Sequence, residues 1–282
     1  MTVGPFIRWA GGKRWFCSNL LDFLPSNFSD YYEPFLGGGA VFFELKKNNL
    51  INYGCYLSDL NTRLINSYKY VRDNPQKLIN WLKQKEGSEE EYYKIREHFN
   101  LYPGNLSAGA EFIYLNKYSF NGIYRVNKLG KYNVPYGGYR EISEEYYKII
   151  ENDSLVLKDC TIEKHNFDYI LNTKLSSGSL VFIDPPYTVS HNNNGFIAYN
   201  KKLFSLDDQY RLLKVLNWID ECGAFFLMTN AHHQVIKDIF GKYNFYECSR
   251  KSVIGGKNAK RQTINEYVVC NYKIRGVGYD LV

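Results

Sequence analysis

The stretch Val181-Phe182-Ile183-Asp184-Pro185-Pro186-Tyr187 ends an apolar run of strand type in an acid, two prolines and a phenol. Pro185 and Pro186 fix φ and remove two backbone donors, so the local main chain offers carbonyls rather than N–H groups. A carboxylate, a fixed carbonyl and an aromatic ring make a receptor for a planar group that bears an amine. Asp184 and the Pro185 carbonyl can accept both amine hydrogens, and Tyr187 can stack on the ring. The exocyclic amine of adenine is a poor nucleophile because its lone pair is conjugated into the ring. Two acceptors on its hydrogens favour a pyramidal nitrogen and free that pair. The bland alternative is an Asp-capped turn closed by Pro-Pro.

A second stretch, Glu33-Pro34-Phe35-Leu36-Gly37-Gly38-Gly39-Ala40-Val41-Phe42, places three glycines between a short strand and a helical pattern. Glycine lets backbone approach a ligand closely and turn with positive φ. In a doubly wound sheet this is where a nucleoside-bearing cofactor lies. The third glycine of the dinucleotide fingerprint is absent, which argues against NAD. Asp59 ends the next strand about 20 residues on, the place for a carboxylate that accepts from ribose hydroxyls. The pair favours an adenosine-containing cofactor; the glycines alone are equally a tight turn.

The elements that must hold these residues follow from periodicity. Strands are expected at 31–36, 53–61, Ser154–Thr161 ("SLVLKDCT"), Ser179–Asp184 and Ala224–Asn230, with two final antiparallel strands joined by a basic loop. Residues 62–99 have helical spacing with breaks near Pro75 and at Gly87. Further helices are expected at 111–120 and 207–223, and 121–140 reads as loop or hairpin. An α/β pattern opens the chain, a helical and loop insert interrupts it, and the α/β pattern resumes. The expected architecture is a Rossmann-like α/β sheet (1–61 and 151–282) with an inserted, mainly helical domain (62–150).

The 282 residues carry a formal charge of +6, 26 Tyr and 18 Phe. A mildly basic, Tyr-rich chain suits nucleic acid, since cations hold phosphates and aromatic faces stack on bases; drift in an AT-rich genome gives the same composition. From Phe112 to Arg140 there are five basic residues and no acid, and from Cys248 to Asn265 again five and none. These are candidate phosphate-holding patches. The six cysteines are scattered without CxxC and read as reduced thiols in a cytoplasm. The five histidines lack metal spacing, so no metal is expected. No signal peptide or membrane-spanning run is evident.

"FIRWAGGK", "EPFLGGGAVFFEL", "LSDLN", "LNKYSFNGIYRVN", "KYNVPYGGY", "VFIDPPY" and "RQTINEYVVCNY" together resemble a Dam-type DNA adenine-N6 methyltransferase of the alpha-ordered (D12) class, nearly end to end. The resemblance implies S-adenosylmethionine as methyl donor. It makes Asp184, Pro185, Pro186 and Tyr187 the catalytic motif. Trp9, Lys13, Phe35, Gly37, Gly38, Gly39, Asp59, Asn166, Phe167 and Asp184 would contact the cofactor, Phe167 by packing on its adenine. Asn166 stands where many relatives have Asp. The mechanism implied is direct attack of N6 on the sulfonium methyl, with the target adenine flipped out of the duplex.

The same resemblance makes 62–150 a target-recognition domain, with its hairpin near 119–140. Arg125 matches an arginine that reads guanine, where a bidentate fork suits O6 and N7. Ile123 and Pro135 match contacts to thymine methyls, and Phe120 and Asn121 match residues that fill the gap beside the flipped base. Arg8, Asn127, Lys257 and Arg261 complete the expected DNA contacts. Arg8, Gly138 and Gly195-Phe196-Ile197 depart from the family pattern. GATC is the leading target, with another short adenine-containing site, such as GATATC or a GATG-containing sequence, left open. The partners implied are double-stranded DNA and, where the enzyme belongs to a restriction-modification system, a cognate endonuclease; a monomer is expected. A non-catalytic DNA-binding relative, a cytosine-N4 methyltransferase and an RNA methyltransferase remain alternatives. The intact Asp184-Pro185-Pro186-Tyr187 disfavours all three.

Overall fold

A computed structural model describes residues 2–102, 104–187, 204–251 and 263–274. The basic loop with Lys257 and Arg261, and Gly195-Phe196-Ile197, lie outside the described residues. Among the described residues the strands are β1 (Tyr31–Glu33), β2 (Cys55–Asp59), β3 (Cys160–Lys164), β4 (Leu180–Ile183), β5 (Phe225–Ala231), β6 (Asn244–Lys251) and β7 (Thr263–Cys270). The helices are α1 (Leu20–Phe23), α2 (Ala40–Lys47), α3 (Thr62–Asp73), α4 (Pro75–Lys83), α5 (Glu89–Leu101), α6 (Ala108–Tyr118), α7 (Glu144–Leu157), α8 (Leu206–Glu221) and α9 (Gln234–Phe240). The strands form a seven-stranded sheet in the order β3-β2-β1-β4-β5-β7-β6. The pairs β2/β3, β1/β4 and β4/β5 are parallel, while β7 runs antiparallel to β5 and β6. This is the expected mixed α/β, Rossmann-like sheet.

The chain divides into two compact units, 1–14 with 36–166, and 15–35 with 167–282. The second unit contains β1, β4, β5, β6 and β7. Every residue of β4 is buried, as a parallel strand covered on both faces requires. That explains why Leu180–Ile183 shows no polar alternation. Helix α8 starts with a capping box, in which the Ser205 and Asp208 side chains each bond the other's backbone N–H, and ends before Gly223.

The first unit contains β2, β3 and helices α2 to α7. Pro75 occupies the first turn of α4, where no backbone donor is needed, and Ser88 caps α5 ahead of three glutamates. The two helix breaks therefore fall where the sequence placed them. Tyr68 of α3 is fully buried, with Phe6 edge-on at 4.9 Å and its hydroxyl donating to the Gly37 carbonyl at 3.1 Å.

One expected strand is corrected. Ser154–Leu157 is the last turn of α7, and β3 begins only at Cys160. Tyr147, Ile150, Ser154 and Leu157 are buried at helical spacing, so packing of one helix face overrides the strand-like look of Ser154-Leu155-Val156-Leu157. The first strand is also shorter than expected and stops at Glu33.

Candidate active site

Asp184 follows the last residue of β4. Ile183 is paired with Met228 of β5, so one step further Asp184 lies beside Thr229. The buried Thr229 hydroxyl donates to Asp184 Oδ1 at 2.9 Å and sets the rotation of the carboxylate. Pro185 is buried and Pro186 exposed. The Tyr187 hydroxyl donates to Glu266 of β7. Burial, then the neighbouring Glu266 and Asp184 anions, hold the Tyr187 hydroxyl well above its ordinary pKa, so it stays protonated.

In the same unit the Phe35 and Phe167 rings stack on each other, 5.2 Å between centroids at 21°, with Phe204 edge-on to Phe35 at 5.9 Å. Arg211 of α8 lies over the Phe167 ring at 5.0 Å, donates to Asp208 at 2.6 Å and pairs with Asp168. The two stacked rings leave no slot between Phe35 and Phe167.

The glycine loop belongs to the other unit. Gly37 has φ +47° and its N–H donates to Asp59 Oδ2 at 3.0 Å. A Cβ there would sit 2.8 Å from Trp9 Cδ1, so the indole closes onto the loop only because residue 37 has no side chain. Asp59 Oδ1 accepts from the Asn61 N–H at 2.9 Å. Burial raises the Asp59 pKa from its ordinary value, against the lowering effect of these backbone donors. Lys13 is buried, with its ammonium on the Gly11 carbonyl at 3.1 Å, and Asn166 is exposed after β3.

The expected recognition hairpin is a loop with two isolated bridges, Ser119 to Tyr136 and Val126 to Tyr132. It is bolted to α5: Asn100 exchanges two hydrogen bonds with the Tyr132 backbone, and the Tyr92 hydroxyl and Arg96 both donate to the Val134 carbonyl. Asn116 of α6 ties it to the N-terminal segment. Its Oδ1 accepts from the Arg8 N–H, and its Nδ2 donates to the Arg8 and Gly122 carbonyls, each at 2.9 Å. Trp9 stacks on Tyr124 at 5.6 Å.

Phe120 is 53% exposed and Asn121, also exposed, has φ +55°. Such a conformation is tolerated by Asn and concentrates at working sites. Arg125 is exposed and already ordered, donating through Nε to Asn133 Oδ1 at 2.9 Å and through Nη2 to the Asn133 carbonyl at 3.1 Å. Lys117 has its pKa lowered by burial and then by the nearby Arg8 and Arg140 charges. Like charges gathered in this way repel one another.

The D12 class N6 adenine-specific DNA methyltransferase family model matches residues 9–254. The chain belongs to this family. It is 31% identical to the Type II methyltransferase M1.LlaDCHI of Lactococcus lactis subsp. cremoris, over 96% of each chain. It is 35% identical to the Type II methyltransferase M.MjaIII of Methanocaldococcus jannaschii, over 96% of this chain and all of the relative. A DNA adenine methylase of Vibrio cholerae is 30% identical over 74% of each chain.

The methyltransferase thus carries Asp184, Pro185, Pro186, Tyr187, Phe35 and Phe167 in one unit, and Trp9, Lys13, Gly37, Gly38, Gly39, Asp59, Asn166, Arg8, Phe120, Asn121, Ile123, Arg125, Asn127 and Pro135 in the other. Asn127 serves the turn itself, its Oδ1 accepting from the Leu129 and Lys131 N–H groups. Ile123 is half-buried, with its carbonyl accepting from the Tyr132 hydroxyl, and the exposed Pro135 accepts from the Phe120 N–H. Sequence reasoning missed Thr229, Asn116, Asn133 and Glu266. Glu266 alone left a signal, an acid set among the apolar residues of Ile264–Cys270; the other three are ordinary polar residues until the fold gives them partners. Among the described residues no three His, Cys, Asp or Glu gather to hold a metal, and no helix is long and apolar enough to cross a membrane.

Proposed function

We propose that this enzyme transfers a methyl group from S-adenosylmethionine to N6 of an adenine flipped out of a short duplex DNA site, with GATC as the leading target. The observation that carries the proposal is the Asp184 carboxylate at the carboxyl end of β4, oriented by the Thr229 hydroxyl and followed by Pro185, Pro186 and Tyr187. A carboxylate has about four acceptor positions, so the Thr229 bond orients Asp184 without exhausting it. Asp184 and the Pro185 carbonyl accept the N6 hydrogens and make the nitrogen lone pair available, while Tyr187 stacks on the base.

The residues fit the cofactor. Gly37 turns the loop with φ +47°, and its N–H holds Asp59 in place as the ribose acceptor. Trp9, Lys13, Gly38, Gly39 and Asn166 border the same molecule, and the outside of the Phe35–Phe167 cluster packs on its adenine. When bound, S-adenosylmethionine supplies an electrophilic methyl on a cationic sulfur that departs as a neutral thioether. Such a leaving group needs no metal, and most of the rate comes from positioning.

On the DNA side, Arg125 reads a guanine, Ile123 and Pro135 touch thymine methyls, and Phe120 and Asn121 fill the space left by the extruded base. Arg8, Lys117 and Arg140 meet phosphates or base edges, with Lys257 and Arg261 adding charge. Two relatives are named Type II methyltransferases. A cognate endonuclease of the same site is the partner that this reading implies. The test is single-molecule sequencing of DNA from a methylation-deficient host that expresses the chain. N6-methyladenine confined to one short motif establishes the reaction and its target. Unmodified DNA from folded protein that still binds S-adenosylmethionine refutes the reading.

A further inference from the structure

Glu266 lies on β7, paired with Cys248 of β6. Arg250, two residues along β6, is paired with Ile264, so Arg250 and Glu266 are diagonal neighbours on one face of the hairpin. Arg250 Nε donates to Glu266 Oε1 at 2.6 Å, and Glu266 Oε2 accepts the Tyr187 hydroxyl proton. The Glu266 side chain is only 1% exposed. The Arg250 guanidinium lies 5.8 Å from the centre of the Trp15 ring, within cation–π range. A buried ion pair gives little net stability, because desolvation offsets attraction, and two apolar residues would pack this position at least as well. Its use is geometric.

We propose that Glu266, backed by Arg250 and Trp15, is a positioning residue that fixes the orientation of the Tyr187 ring for stacking on the target adenine. The inference rests on the proposed role of Tyr187 in base binding. A tyrosine anchored only at Cβ swings about χ1 and turns about χ2. Anchoring the hydroxyl at the far end fixes the ring axis, and the preference of the O–H for the ring plane fixes the tilt. Glu266 is suited to this because a carboxylate accepts a stronger hydrogen bond than a neutral acceptor does. Burial first, and the anion after it, keep the proton on Tyr187, so the hydroxyl remains a donor. Arg250 holds the carboxylate in register and neutralises it, and Trp15 covers the guanidinium from outside.

The experiment combines a double-mutant cycle with a readout that needs no substrate. Single-turnover methyl transfer and DNA affinity are measured for the full chain and for Tyr187→Phe, Glu266→Ala, Glu266→Gln and the double variant Tyr187→Phe/Glu266→Ala. Tyr187→Phe keeps the stacking face and removes only the hydroxyl. It should slow transfer about ten- to hundredfold, the usual result of misplacing a reacting group, with DNA affinity little changed. Glu266→Ala should slow it equally and add nothing in the Tyr187→Phe background, while Glu266→Gln, which retains an acceptor, falls between. In parallel, 3-fluorotyrosine placed at position 187 reports ring order by fluorine NMR of the protein alone. One dominant narrow resonance is expected, becoming shifted and exchange-averaged in Glu266→Ala and partly restored in Glu266→Gln. Wild-type speed in Tyr187→Phe, additive losses in the double variant, or a fluorine resonance indifferent to Glu266 each overturns the proposal, whether or not the Glu266 variants are less stable. Failure of the unmodified protein to methylate adenine refutes the reaction instead and leaves the fluorine result to decide the relay.

Discussion

Asn116→Ala tests the link between the N-terminal segment and the loop proposed to recognise the target. The Asn116 side chain is 3% exposed and makes three 2.9 Å hydrogen bonds, two to the Arg8 backbone and one to the Gly122 carbonyl. Each such bond contributes about 0.5–1.5 kcal/mol net, so losing all three costs about 3 kcal/mol. For a chain of 282 residues, with an unfolding entropy of about 2.1 cal/mol/K per residue, the melting midpoint should fall by about 5 °C. The functional consequence is larger than the thermal one. Arg125 follows Gly122 by three residues, and a hairpin released at Gly122 presents its guanidinium less reproducibly. Discrimination between the cognate site and a single-base variant should fall about tenfold, within the roughly 1–3 kcal/mol of one bidentate base contact. Asn116→Asp sharpens the test. At neutral pH it sets an anionic oxygen against two carbonyls and should destabilise at least as much as Ala; acidification protonates it, restores a donor and recovers stability. The assay is a thermal melt with and without DNA, beside initial methylation rates on cognate and single-mismatch duplexes. A midpoint shift below about 1 °C would refute the hydrogen-bond accounting. A full shift with unchanged discrimination would show that the clamp holds the fold and not the reading of bases.

Asp184→Ala should abolish methylation while leaving DNA affinity mostly intact, by filter binding and product assay; normal turnover in that variant would sink the amine-acceptor mechanism. Arg125→Ala should cost about 1–3 kcal/mol at one base pair and relax the site. Asn133→Ala should give a smaller loss at the same base pair, because it frees the guanidinium without removing it; a loss at a different base pair, in sequence-scanned substrates, would contradict that pairing. The raised Asp59 pKa gives a pH prediction with a definite sign. A buried acid holds its proton to higher pH than in the unfolded chain, so its anionic form, the proposed ribose acceptor, is lost on acidification above the ordinary carboxylate range. Cofactor affinity by calorimetry should therefore weaken as pH falls toward that range, and Asp59→Asn should flatten the profile; an equally steep profile in Asp59→Asn would assign the titration to another group.

The local grammar was legible in the chain alone. Pro75 at a helix start, Gly87 at a break and Gly223 after a helix end specify their own boundaries, because caps and prolines act within one turn of backbone. The apolar run Leu180–Ile183 announced a strand buried on both faces, and the acid, prolines and tyrosine after it are the parts from which the proposed amine receptor is built. The long motifs carried the family. The tertiary structure decided what a linear pattern does not encode. Ser154-Leu155-Val156-Leu157 looks like strand but turns as helix, since the partner face for Tyr147, Ile150 and Leu157 is made by residues far away in sequence. Thr229 became the orienting group of Asp184 only through the register of β4 on β5, 45 residues apart. Asn116 and Asn133 became the clamps of Arg8 and Arg125 in the same way. Glu266 could be flagged as an acid among apolar neighbours, but its partners Tyr187 and Arg250 come from β4's end and β6. Only the pairing of β6 with β7 brings the two charges to one face, because side chains on paired strands meet by register and not by proximity in the chain.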